Sequence, residues 1–345
     1  MYMNYFESNP LNIYHLMSAT SESLKRLILV LAVTFIVIII LSILFTIDLT
    51  RIYGYIDILI LATSLSITLF LLKGIRFYMI LRYSGYRPSI SDAITLRFGS
   101  EFFSLIGVSY IGDEVYRIYY LEKMDVDRGI AISISYSEVF MEVLTAFILI
   151  IFGSLLTFLD GYINIYLLIS LFISILIVIA NVLFILGFPI VYRLISRLFI
   201  RFGFKSFSDK LVIKDIHLFK EHFHKVILDY KVFPVIMSIS ILIGLISGMV
   251  LYILSIGFIP NPNYILSLLI VYIANTISSL PITVGGLGIT EGVIISSLYP
   301  VGESTSVIIA ILYRLSSYIA PLLISALILN MRIFRRASSV ALRRG

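Results

Sequence analysis

Six stretches of this chain are apolar for about as long as a bilayer's hydrocarbon core is thick, and no other feature constrains its folding as strongly. At 1.5 Å rise per residue, a helix needs about 20 apolar residues to cross. Residues 27–47, 56–72, 129–159, 163–188, 232–257 and 304–331 read as such spans. The second is short but is extended by residues 73–81, whose basic side chains can snorkel to the interface. The run 27–47 is too long for a signal-peptide core and lacks a small-residue cleavage site, so it reads as a retained first span. Composition agrees: 60% of residues are hydrophobic and only 13% charged, about half the charged share of soluble domains. The absence of Cys excludes disulfides, thiolate metal sites and a Cys nucleophile. Trp is absent too, so the interfacial aromatic role falls to Tyr.

The net charge of +6 matters through its distribution rather than as a sign of nucleic-acid binding. Of the 26 Lys and Arg, 24 flank the spans or lie in segments 189–231 and 332–345; the others are Arg51 and Arg314. The positive-inside rule then sets the path, with both termini cytoplasmic. Two further apolar regions are interrupted: 90–123 by charges and glycines, and 264–299 by Pro281 and Gly285-Gly286-Leu287-Gly288. Region 90–123 has basic flanks on both sides and must enter and leave on the cytoplasmic side; 264–299 must begin and end outside. Both therefore read as re-entrant helical hairpins. The expected fold is an all-α polytopic membrane protein of six full spans and two hairpins. Its parts are a cytoplasmic segment 1–26, a transmembrane domain 27–331 and a basic tail 332–345. The domain divides into inverted halves, 27–159 and 163–331, an arrangement that points to a transporter site near the midplane. The alternative is ordinary helix pairs interrupted by packing glycines. The cytoplasmic loop 189–231 is basic, reads as amphipathic helix at the membrane surface, and is too small for a catalytic domain.

The strongest local signal is PITVGGLGITEG, 281–292. Pro281 ends a helix, and Gly285, Gly286 and Gly288 permit backbone closed to other residues. Thr290 suits an N-cap and Glu291 the first turn of a new helix. Such a terminus presents N–H groups to a phosphate or carboxylate; equally, Glu291 can satisfy those donors itself, and the geometry alone leaves both open. Arg314 lies eleven residues into the last span, where an Arg costs about 2.5–3.5 kcal/mol on the lenient scale, so it must meet a partner or a wet cavity. Glu138 and Glu142, one helical turn apart in the third span, are candidate partners, with a substrate role for Arg314 equally open. Arg97 with Glu101, and Asp113 with Arg117, are spaced i, i+4 and form either local pairs or, with Glu114 beside them, the lining of a cationic cavity. Asn275 is a polar residue within the second hairpin that can line the same space. Weaker signals are Asp125-Val126-Asp127, three histidines (His217, His222, His224) read as solvated, and Gly244 with Gly248, read as a close helix contact. No metal site or cofactor is expected.

Five runs occur in order: LKGIRFYMILRYSGYRPSISDAI, GDEVYRIYYL, SEVFMEV, SLPITVGGLGITEG and ILYRLSSYIAPLL. In this order they resemble the flippase-like transmembrane region of lysylphosphatidylglycerol synthases and its stand-alone relatives, over roughly residues 60–331. The resemblance implies a region that moves a lipid between leaflets, without the soluble domain that makes aminoacylated lipid. Two departures bear on the substrate. Tyr110 and Ile111 stand before Gly112 where the family often has Pro, and Val139 follows Glu138 where it often has Arg, with Glu142 in the acidic place.

The expected function is a lipid translocase of the cell membrane working by alternating access. Arg97, Arg117, Asn275, Gly285, Gly286, Gly288, Thr290 and Arg314 would bind the head group. Glu101, Asp113, Glu114, Glu138, Glu142 and Glu291 would pair with the cations or carry protons. The partner would be a phospholipid or a polyprenyl-phosphate-linked glycan. The alternatives are an intramembrane transferase acting on lipid-linked sugars, or a membrane partner that anchors a soluble lipid-modifying enzyme.

Overall fold

The computed structural model describes residues 31–40, 54–106, 111–161, 165–201, 209–280 and 282–329, with single positions 25, 28, 29 and 43. Segment 1–26, the tail 332–345, Pro281 and most of the run 27–47 thus lie outside the described residues, apart from Lys25 and the short helix α1 (Leu31–Ile40). Regular structure among the described residues is helical throughout. After α1 come α2 (Ile56–Tyr83), α3 (Ile90–Ile106), α4 (Ile111–Glu122), α5 (Arg128–Leu159), α6 (Ile165–Arg201), α7 (Asp209–Leu228), α8 (Val232–Ile256), α9 (Tyr264–Ser278) and α10 (Ile289–Leu298). The last, α11 (Glu303–Leu329), has a π-helical turn at Leu315–Ile319.

Five helices are long and apolar enough to cross a membrane: α2, α5, α6, α8 and α11. Their boundaries follow local chemistry. Helix α2 carries Asp57 in its first turn and Arg82 in its last, matching the macrodipole. It stops where Gly85 takes φ +90° and donates its N–H to the Arg82 carbonyl at 3.1 Å. The Ser89 hydroxyl begins α3, accepting from the Asp92 N–H at 3.0 Å. Most of these helices turn large apolar side chains outward. Phe147, Ile151, Phe152 and Leu155 on α5, with Phe172, Leu176 and Leu183 on α6, are exposed, which suits a lipid solvent and no other. Helix α11 is the exception. Its apolar window is 72% buried against 22–44% for the other four, which makes it the central span.

The interrupted regions are pairs of short helices. At 1.5 Å per residue, α3 and α4 reach roughly 25 and 18 Å, α9 and α10 roughly 22 and 15 Å. Each falls short of a hydrocarbon core about 30 Å thick. Helices α3 and α4 run antiparallel: Phe103 stacks on Tyr116 with ring centroids 4.8 Å apart, while a Cβ on Gly112 would strike the Phe103 carbonyl. Helix α9 is buried on nearly all sides through Leu268, Leu269, Ile270, Val271, Ile273 and Ala274. Gly248 lets α8 approach it; an added Cβ would lie 2.9 Å from the Leu268 Cα, so the GxxxG pair is the close contact expected.

Segment 189–231 begins as a continuation of α6 through Pro189 and includes the amphipathic helix α7. Val212, Ile216, Phe219, Phe223 and Val226 recur at helical spacing and are buried; Phe219 and Phe223 pack with Tyr136 of α5 and Phe188 of α6. Gly129 admits this approach: a Cβ there would lie 2.8 Å from the Asp215 Cα. Lys214, His217, Lys220 and His224 face outward. His222 does not, contrary to its expected solvation. It is buried, with Nδ1 2.8 Å from the Ser133 hydroxyl, because it shares the apolar face of α7 with Phe219 and Phe223.

Candidate functional site

A cavity of about 320 Å³ lies at the centre of the helices, walled on one side by α2–α6 and on the other by α8–α11. Its lining mixes apolar side chains with charged and hydroxyl-bearing ones, where the surface around it is apolar. Three fully buried arginines come from three different helices: Arg76 on α2, Arg97 on α3 and Arg117 on α4. They converge on Glu138 of α5, which is completely buried. Arg76 Nη2 donates to Glu138 Oε1 at 2.8 Å and also to Glu142, and its Nη1 donates to the Ser240 hydroxyl of α8 at 3.1 Å. Arg97 Nε donates to Glu138 Oε1 at 3.2 Å, and Nη1 to Glu101 at 2.8 Å and Asp113 at 3.2 Å. Arg117 donates to Glu138 Oε2, and its Nη2 lies 3.2 Å from Asp113 Oδ2. Lys73 stands 3.7 Å from Glu101 at the edge.

These buried charges are tolerable only because Arg76, Arg97, Arg117, Glu101, Asp113, Glu138 and Glu142 each find at least two partners. The formal charges do not favour cations. Lys73, Arg76, Arg97 and Arg117 face Glu101, Asp113, Glu114, Glu138 and Glu142, four positive against five negative. Of the two readings of these residues, both local i, i+4 pairs are present, Arg97 with Glu101 and Arg117 with Asp113; Arg97 also lines the cavity, whereas Arg117 stands behind its wall.

A second, smaller cluster belongs to α10 and α11. Arg314 Nε lies 3.1 Å from Glu291 Oε1, Nη1 donates to the Gly285 carbonyl at 3.1 Å, and the guanidinium sits 3.6 Å over the Tyr318 ring. This corrects the expected pairing of Arg314 with Glu138 and Glu142. Those carboxylates point into the α2–α4 side, whereas Arg314 faces the turn before α10. Gly285, Gly286 and Gly288 take φ of +54°, +68° and +82°, the left-handed region closed to most side chains. A Cβ on Gly285 would also overlap the Tyr318 ring. The turn's donors are largely used inside it. The Leu287, Ile289 and Thr290 N–H groups reach carbonyls of the same turn, and the Gly288 N–H donates to Glu291 Oε2 at 2.8 Å. Gly288, rather than Thr290, is the N-cap of α10, because the Thr290 hydroxyl is engaged with Ser278 at 2.7 Å and the Gly286 carbonyl at 3.2 Å.

The cavity brings together Arg97, Glu101, Asp113, Glu114, Glu142, Asn275, Gly285, Thr290 and Arg314 in its lining. Glu138, Arg117 and Glu291 stand just behind them as direct partners. Asn275 is exposed and lines this space although its α9 neighbours Ile273 and Ala274 are fully buried. Sequence reasoning missed Arg76, counting it among interfacial residues. Its position, twenty residues into a helix whose apolar run resumes at Phe77–Leu81, was the available signal. Asp127 is held by Lys214 at 2.6 Å on the exposed face, well away from the cavity.

A family model described as the lysylphosphatidylglycerol synthase TM region matches residues 23–325. That range takes in both charge clusters and the whole cavity. No curated protein matches the chain.

Proposed function

The chain belongs to the family of the lysylphosphatidylglycerol synthase TM region, and we propose that it is a lipid translocase that moves a polar head group between leaflets through the central cavity. The observation that carries this reading is the cavity itself: a charged, hydroxyl-rich space enclosed by helices whose outer faces are apolar. Ionisable groups at membrane depth face a bundle interior or a water-filled cavity, pair there with one another, and by default mark a substrate pathway.

The architecture supports alternating access between two inverted halves. Helices too short to cross lie at corresponding places, α3–α4 in the first half and α9–α10 in the second. The packing partners repeat: α2–α3, α3–α4 and α4–α5 in one half, α8–α9, α9–α10 and α10–α11 in the other, with α2 against α8 between them. Both α4 and α10 carry acidic residues in their first turns, Asp113 and Glu114 in the cavity lining in one and Glu291 just behind it in the other. These pairs are read as re-entrant hairpins opening to opposite sides, in a protein of six crossings with both ends in the cytoplasm of a cell membrane. Asn275, Thr290, Arg314 and the glycine turn contact the head group. Arg76, Arg97 and Arg117, held by Glu101, Asp113, Glu138 and Glu142, lock α2–α5 together and rearrange as the halves rock.

The test is movement of labelled lipids in vesicles reconstituted with the purified protein. Faster exchange between leaflets than in empty vesicles is expected, slowed by Arg314→Ala. If no phospholipid or polyprenyl-phosphate-linked lipid moves faster than in empty vesicles, the reading fails.

A further inference from the structure

The larger charge cluster pairs all of its carboxylates but one. Glu101 is held by Lys73 and Arg97, and Asp113 by Arg97 and Arg117. Glu138 is held by Arg76, Arg97 and Arg117, and Glu142 by Arg76 and Arg97. Glu114, the fifth carboxylate, makes no ion pair among the described residues. It is partly buried in the first turn of α4 and lines the cavity. With Lys73, Arg76, Arg97 and Arg117 matched by the other four acids, the uncompensated charge of the cluster is that of Glu114.

Burying an unpaired carboxylate is costly enough that such a group takes up a proton instead. The α4 macrodipole favours the anion at this position, but it offsets only a fraction of that cost. Helix α4 packs against α3 and α5. The charged and titratable groups near Glu114 are Asp113 and Arg117 on α4 itself, Arg97 and Glu101 on α3, and Tyr136, Glu138 and Glu142 on α5. The two cations among them are engaged with other acids. Arg117 lies three residues along α4, on the face that Glu114 shares, yet its terminal nitrogens reach Glu138 and Asp113. One of those bonds crosses to α5, so a shift of α4 against α5 can break it and free Arg117 for Glu114.

We propose that Glu114 is the proton site of this protein and that it carries one proton in each transport cycle. In the arrangement of this structure Glu114 is the neutral carboxylic acid, and the cluster has no net charge. As the halves rock, Arg117 passes from Glu138 to Glu114, while Glu138 keeps Arg76 and Arg97. The proton leaves the Glu114 carboxyl for water in the opened cavity. Return of Arg117 to Glu138 leaves Glu114 unpaired again, and it takes a proton from the side then open. This rests on the translocase reading and gives it an energy source, a proton gradient.

Two measurements on the full chain test this. Infrared difference spectra of the purified protein, titrated across neutral pH in water and in heavy water, should show a protonated carboxyl band. That band should be absent from Glu114→Gln and kept in Glu303→Gln, an exposed control. In reconstituted vesicles, fluorescent short-chain phosphatidylglycerol or polyprenyl phosphoglucose, whichever moves, is followed with and without an imposed pH gradient. The gradient should change the rate by about threefold or more in the wild type, and not in Glu114→Gln or after a protonophore. Glu114→Ala serves if Glu114→Gln does not survive purification. No protonated carboxyl band in the wild type, a band that persists in folded Glu114→Gln, or wild-type movement indifferent to the gradient would overturn the proposal. Failure of the translocase reading is distinguishable: a Glu114-dependent band without movement of either lipid removes translocation and leaves the proton site standing.

Discussion

Glu138 is the residue on which the buried network depends, since it alone meets all three arginines. Removing one member of a buried ion cluster leaves the rest uncompensated, at about 3–5 kcal/mol. Glu138→Ala is therefore expected to lower the temperature at which the purified protein loses its monodisperse chromatographic peak far more than Asn275→Ala does. An equal, small effect would mean that the cluster is wet enough to tolerate the loss. Gly285 is constrained twice, by its left-handed backbone and by the Tyr318 ring where its Cβ would stand. The left-handed conformation alone costs a side chain about 1–2 kcal/mol. Gly285→Ala should destabilise by at least that much in the same assay, whereas Gly292→Ala, with open space at its Cβ, should not. Both positions were visible in the sequence as an intramembrane Glu and a glycine run. What sequence hid was the partner choice. Helical spacing shows which residues share a face of one helix; it does not show which other helix that face meets.

At the scale of elements, α7 is a surface helix whose attachment carries a titratable group. Burial, with Lys225 nearby as a lesser cause, lowers the pKa of His222 from its ordinary 6.5 to about 4. The folded form thus keeps the neutral imidazole while the unfolded chain would protonate. The stability this contributes is present above pH 6.5 and is lost progressively as pH falls from about 6.5 toward 4. A thermal-stability titration over that range should show a loss that His222→Gln reduces; identical pH profiles would remove His222 from the account. The amphipathic spacing of α7 was legible before the structure, but the docking of His222 on Ser133 was not, because the burial of that side chain is conferred by α5.

The whole molecule is an all-helical membrane protein whose lipid-facing helices surround a polar cavity, and its topology can be mapped directly because the chain has no Cys. In sealed cells, Cys placed at Tyr299 should react with an impermeant thiol reagent from outside, and Cys placed at Lys220 only after the membrane is opened. Labelling of position 299 only from the cytoplasm would break the second hairpin and the inverted symmetry with it. By itself, the sequence determined the membrane environment, the helical class and the intramembrane charges. These follow from hydropathy summed along a helix and from the cost of leaving backbone or charge unpaired in lipid, and both are local properties. Only the tertiary structure decided that Arg76 joins Arg97 and Arg117 on Glu138, and that Arg314 turns instead to Glu291 and the Gly285 carbonyl. Ion pairs between helices depend on which faces pack, and that is set by side-chain fit across the entire bundle, which no single stretch of sequence contains.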